Sequence, residues 1–136
     1  MKRAALLASC LIWSVLDLSA CQSAPAQDKP TPNDPPEVID VLKVSLPPSV
    51  AATGVLRITV SVAQGGCLHF TNFKVGRRTP TRLELAVQGR PVSGSVGCPP
   101  VTGNVAETYS DPGSPARTGP FEVFVNGQSY GSVDID

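Results

Sequence analysis

Four cysteines, one histidine and one dense run of arginines are the side chains from which this 136-residue chain could build chemistry. Cys67, His69 and Cys98 are the one set that could hold a soft metal. That set needs thiols kept reduced, and Cys-x-His is not a usual ligand spacing, so no metal is expected. No Cys-x-x-Cys redox motif occurs. Leu68 and Phe70 share a parity that His69 does not, so His69 should face solvent, without the base and orienting partner that nucleophilic catalysis requires. The chain has no Gly-x-Ser-x-Gly, no phosphate loop and no paired-carboxylate motif, and it reads as a non-enzyme with no cofactor. Asp134 and Asp136 fall short of the six or more oxygens that calcium takes.

The basic run Gly76-Arg77-Arg78-Thr79-Pro80-Thr81-Arg82 is the candidate ligand loop. Arg77, Arg78 and Arg82 would sit at one end of the fold, where their guanidinium forks suit the oxygens of an anionic glycan or a phosphate. The competing reading is a solvated loop balanced by acids elsewhere. With 11 basic and 11 acidic side chains the chain carries no formal net charge, which argues against nucleic acid as its partner.

The N-terminus sets the compartment. Lys2 and Arg3 precede the apolar run from Ala4 to Leu16, which is too short to span a bilayer and has the make-up of a secretory signal. Leu18-Ser19-Ala20-Cys21 follows: an aliphatic residue, two small residues and a cysteine. This resembles the lipobox of bacterial lipoproteins. The resemblance implies cleavage before Cys21, a diacylglycerol on its thiol, and acylation of the new terminus, so that residues 1–20 are removed. The alternative is a plain secretory signal cut later, near Ala24-Pro25-Ala26. Several acyl chains are needed for stable attachment, because one chain holds only reversibly. Gln22 lacks the Asp that marks inner-membrane retention in enterobacteria-like lipoproteins. The expected location is therefore the outer membrane, if the organism has two.

Export also bears on the remaining cysteines. Cys10 leaves with the signal and Cys21 takes lipid, so Cys67 and Cys98 are expected to pair in an oxidising compartment. Closing about thirty residues should contribute ~3–4 kcal/mol.

Residues 21–36 hold the lipidated cysteine and a Pro-rich stretch, QSAPAQDKPTPNDPP, that cannot bury apolar surface. At ~3.1 Å per residue it forms a tether of up to roughly 45 Å. Loss of Lys2, Arg3 and Asp17 with the signal leaves nine basic and ten acidic side chains, which demand no charged partner.

From residue 37 to 136 short alternating runs are separated by Gly, Pro and Asn, which predicts an all-β domain. Leu56, Ile58, Val60 and Val62 alternate with polar residues, as do Leu83, Leu85 and Val87, and again Phe121, Val123 and Val125. Weaker runs cover 38–46, 68–75, 101–109 and 130–135. The parity change between Phe70 and Phe73 predicts a bulge near Thr71-Asn72. About seven strands in a hundred residues suit an antiparallel sandwich. The pattern resembles the immunoglobulin/fibronectin type III-like modules of exported bacterial proteins, most closely at its end, from Thr118-Gly119-Pro120-Phe121 to Val125-Asn126-Gly127. There a plain two-residue Asn126-Gly127 turn would put Val133 and Ile135 on the face opposite Phe121, Val123 and Val125. A three-residue loop or a bulge just after it is expected instead.

The expectation for function is a lipid-anchored cell-envelope protein whose β-sandwich binds or scaffolds without catalysis. Its partners would be the membrane, through Cys21, and an envelope protein or glycan. The alternatives are an accessory subunit docked by a strand edge and, less favoured, a small hydrolase or redox enzyme.

Overall fold

Leu56, Ile58, Val60 and Val62 are all buried in the computed structural model, which describes residues 35–92 and 97–136. The expected signal peptide (1–20), Cys21 and all of the expected tether but Pro35 and Pro36 lie outside the described residues. The described chain is all-β. Its strands are β1 (Glu37–Val38), β2 (Val41–Ser45), β3 (Ser49–Val50), β4 (Leu56–Gln64), β5 (Leu68–Thr79), β6 (Arg82–Pro91), β7 (Gly103–Asp111), β8 (Phe121–Val125) and β9 (Gln128–Ile135). They number nine rather than about seven, because the 38–46 run divides. Its first part, β1, joins one sheet, and β2 joins the other after the chain crosses at Ile39 and Asp40. Pro47 and Pro48 then set off the two-residue β3.

Two sheets face each other. β2, β4 and β7 form the smaller, with β4 in the centre. The larger is built on β6, which pairs with β5 along one side. Along its other side β6 meets β8 through residues 82–85 and β1 through residues 88–89. β9 and then β3 continue that sheet. Most pairings are antiparallel, as expected, but β6–β8 and β3–β9 are parallel. Both parallel pairs join strands far apart in sequence, for which the alternation of single strands gives no orientation.

The core is the sum of the three strong alternations. Leu56, Ile58, Val60 and Val62 from one sheet meet Leu83, Leu85, Val87, Phe121, Val123, Val125 and Val133 from the other, with Ile39 at the crossing. Each such side chain contributes ~1.5–3 kcal/mol when fully buried. At one margin Phe73 closes the gap between the sheets by meeting the ring of Tyr109 edge-on at 5.7 Å.

Both register expectations are met. β5 shifts register between Phe70 and Asn72, and again between Val75 and Arg77. The final hairpin keeps its two-residue turn, with Asn126 (φ 51°) and Gly127 (φ 80°) in the left-handed region. The correction comes as a bulge: Phe124 pairs with Ser129, but Glu122 pairs with Ser132. One extra residue in β9 turns Val133 into the core, where it is fully buried, and Ile135 packs against that core.

Candidate functional site

The basic run is a hairpin and not a loop, which corrects the sequence expectation. β5 continues through Thr79 and β6 begins at Arg82, leaving only Pro80 and Thr81 at the turn. Strand pairing holds these residues because Thr79 lies opposite Arg82 and Arg77 opposite Glu84. Alternation then separates the three arginines by face.

Arg78 lies opposite Leu83, a core residue, and so must point between the sheets. There it makes a two-pronged contact with Asp111, Nε to Oδ1 at 2.9 Å and Nη2 to Oδ2 at 3.0 Å. Its Nη2 also donates to the Pro115 carbonyl at 3.0 Å and its Nη1 to that of Thr79. Asp111 ends β7 in the opposite sheet, so this pair clips the two sheets together. Arg117 completes the cluster. Its fully buried guanidinium donates to the Asp111 carboxylate, to the Asp111 carbonyl at 3.1 Å and to the Gly54 carbonyl at 2.8 Å. Both guanidinium groups also approach the Phe121 ring, at 4.8 and 5.3 Å. Burial by itself would raise the Asp111 carboxyl, but hydrogen bonds from Arg78 and Arg117 prevail and hold it below its ordinary value. Tyr109, next to the cluster, is raised by burial and then by the charge of Asp111, against the pull of Arg78. Arg78 is thus committed to the fold and is withdrawn from the candidate ligand set.

Arg77 and Arg82 face outward. Arg82 stands over the Phe124 ring, 3.8 Å from guanidinium carbon to centroid, and its Nε lies 2.7 Å from Glu84 Oε1. This ion pair is about a third exposed on each side, where such pairs contribute ~0–1 kcal/mol and can be exchanged for other partners. Around it is a groove of about 350 Å³ that also includes Val38, Gly76, Ala86, Asn126 and Gly127. Its lining is mostly apolar, with the Arg82 guanidinium and the Glu84 carboxylate as its charged groups, which is the usual make-up of a small-molecule subsite.

The groove depends on Asn126. Along the edge of β6 the chain leaves a gap between β8 and β1. The Asn126 side chain fills it, accepting from the Val87 N–H and donating to the Ile39 carbonyl, both at 2.8 Å. Its own N–H continues the β8 ladder by donating to Leu85 at 2.8 Å. The side-chain amide therefore acts as a surrogate peptide group between two strands that never meet.

Cys67 and Cys98 form a disulfide, with Cα atoms 4.6 Å apart. It fastens the start of β5 to the segment leading into β7, where Gly66 N–H also bonds the Pro99 carbonyl at 3.0 Å. His69 is exposed, as its parity requires, and lies opposite Arg90 on the outer face. Asp136 accepts from the Ser49 hydroxyl at 2.7 Å, fastening the chain end to β3. Asp111, Arg117 and Phe124 were not singled out from sequence, and Asn126 was marked only as a turn residue. Of the first three, Phe124 alone left a signal, as an aromatic on the polar side of an alternating strand.

Comparison with protein-family models, with characterised proteins and with solved structures finds no match to this chain.

Proposed function

We propose that this is an exported protein, held in the cell envelope by lipid on Cys21, whose β-sandwich binds a ligand without catalysis through the outer face of its larger sheet. The observation that carries the binding reading is the groove in which Arg82 lies across Phe124 beside Glu84. The lipobox-like Leu18-Ser19-Ala20-Cys21 carries the anchoring reading, and the prolines of 22–36 supply a spacer that would hold the groove clear of the lipid surface. The immunoglobulin-like pattern is compatible with this role and does not select it.

The test has two arms. Wild-type protein should incorporate labelled fatty acid and partition into detergent, and Cys21→Ser should lose both; a Cys21→Ser protein that keeps lipid would end the anchoring reading. A photo-crosslinker at Arg77 should capture an envelope component in cells, and capture unaffected by Phe124→Ala and Arg82→Ala would place the binding surface elsewhere.

A second reading, an accessory subunit docked by a strand edge, has an observation of its own. β7 pairs with β4 over nine consecutive residues without a shift and has no other strand partner among the described residues. It has no Pro, Lys or Arg and no bulge, and its charges are confined to Glu107 and the inward-pointing Asp111 at its end. A stoichiometric protein partner after detergent extraction, lost on Thr108→Pro in a variant that still folds, would favour this reading.

A further inference from the structure

We infer that the outer face of β5 and β6 is a track for a linear acidic polysaccharide, with the Arg82–Phe124 groove holding one of its sugar rings. This rests on the proposal that the outer face of the larger sheet is a binding surface, and it names the ligand class.

The register sets the track. His69 lies opposite Arg90, Lys74 opposite Ala86, Arg77 opposite Glu84 and Thr79 opposite Arg82, with β8 placing Glu122 beside Arg82 and Phe124 beside Glu84. The core residues Leu83, Leu85 and Val87 alternate with this set, so all of these side chains share the solvent side. Lys74, Arg77 and Arg82 are gathered here against two carboxylates, Glu84 and Glu122. The chain as a whole is neutral, so this face is locally positive. Lys74 and Arg77 are exposed, and they stand on an edge strand where no further strand covers them among the described residues.

Spacing selects the kind of polyanion. At ~3.3 Å per residue, Lys74 (opposite Ala86), Arg77 (opposite Glu84) and Arg82 stand at steps of roughly 7 Å along about 13 Å of sheet. Steps of 7 Å are within the ~8 Å screening length at physiological salt, so neighbouring cations act jointly on one chain. Duplex nucleic acid presents a charge every ~1.7 Å and rewards a much denser array. A polyuronate, with one carboxylate on each sugar, carries its charge far more sparsely than a duplex and is the closer match to this array. The carboxylates agree with this choice. Glu84 would repel a continuous phosphate backbone but accepts hydrogen bonds from sugar hydroxyls, while Val38, Ala86 and the Phe124 edge offer apolar surface to a ring.

The test uses full-length mature protein in detergent, with polygalacturonate as the acidic probe, neutral dextran as its uncharged counterpart, duplex DNA, and vesicles containing an anionic phospholipid. The expected result is binding to polygalacturonate that weakens steeply with salt and falls at least tenfold in Lys74→Glu/Arg77→Glu. Both of these residues are exposed, and melting temperature checks that the fold is kept. Arg82→Lys retains the charge but loses the planar stack, and should weaken polygalacturonate binding by several-fold at unchanged charge. Equal binding of dextran, tighter binding of DNA or of vesicles than of polygalacturonate, or indifference to the double charge reversal would each overturn the assignment. Because the Cys21→Ser protein should bind polygalacturonate as well as the lipidated form does, failure of the anchor and failure of the ligand class are read separately. Crosslinking at Arg77 to a protein and to no glycan would retain the surface while rejecting this ligand.

Discussion

Asp111 and Arg117 are six residues apart, and their side chains meet in the interior with Arg117 wholly buried and Asp111 2 % exposed. Arg78 approaches the same carboxylate from the other sheet, so one anion serves two guanidinium groups. Removing one partner of a buried pair costs ~3–5 kcal/mol, because a desolvated charge is left behind. Asp111→Ala should therefore destabilise the domain by about that amount, measured by denaturant unfolding with the disulfide intact. Asp111→Asn keeps the volume and one acceptor oxygen and should lose less. A change below 1 kcal/mol in Asp111→Ala would mean that the cluster does not hold the sheets together.

Acid should act through the same residue. The Asp111 carboxyl lies below its ordinary value in the folded protein, so the unfolded chain takes up the proton first as pH falls. The stabilisation is complete above the ordinary carboxylate value near 4 and is lost as pH falls through the lower folded value. Unfolding free energy followed from pH 7 down to pH 2 should decline below about pH 4, and the decline should be shallower in Asp111→Asn. Identical acid limbs in the two proteins would contradict this account.

Asn126 makes a prediction that separates backbone from side chain. Asn126→Gly keeps the left-handed turn but leaves the Val87 N–H and the Ile39 carbonyl without the amide between them. The expected loss is about 1–3 kcal/mol for buried groups left unpaired. Hydrogen exchange at the Val87 amide should speed up more than exchange at Val60 in the centre of β4. Equal protection factors in Asn126→Gly and wild type would show that water replaces the side chain at no cost.

The Cys67–Cys98 bridge spans 31 residues. Loop-closure entropy assigns such a bridge ~3–4 kcal/mol. Protein purified without reductant should have no titratable thiol at either position, and reduction should lower the melting temperature by several degrees or more. Recovery of two free thiols from unreduced, folded protein would refute the pairing.

Gly89 tests the crossing of the chain between sheets. A Cβ placed there would meet the Ile39 side chain and come within 2.7 Å of the His69 carbonyl oxygen. Gly89→Ala should accordingly destabilise by ~1–3 kcal/mol, the usual cost of overpacking, despite the high strand content around it. A neutral substitution would mean that both Ile39 and the β5 backbone at His69 can give way.

The sequence alone was enough for the three principal core strands, because each buries one full side of an alternating run. It was also enough for the bulge in β5 and the correction in the last hairpin, since a one-residue slip there would have exposed Val133. These are local constraints, legible wherever apolar parity is strict. Assembly decided the rest. That 38–46 splits between two sheets follows from where β6 and β4 offer free edges, which no local pattern encodes. Arg77, Arg78 and Arg82 look alike as a basic run, yet the register of β5 on β6 sends Arg78 inward to Asp111 and leaves Arg77 and Arg82 outside. Asp111 and Arg117 flank a Pro- and Gly-containing stretch that reads as an ordinary loop. They become a buried charge cluster only because the fold closes over them, and a carboxylate removed from water must find its cations in whichever strands lie nearest.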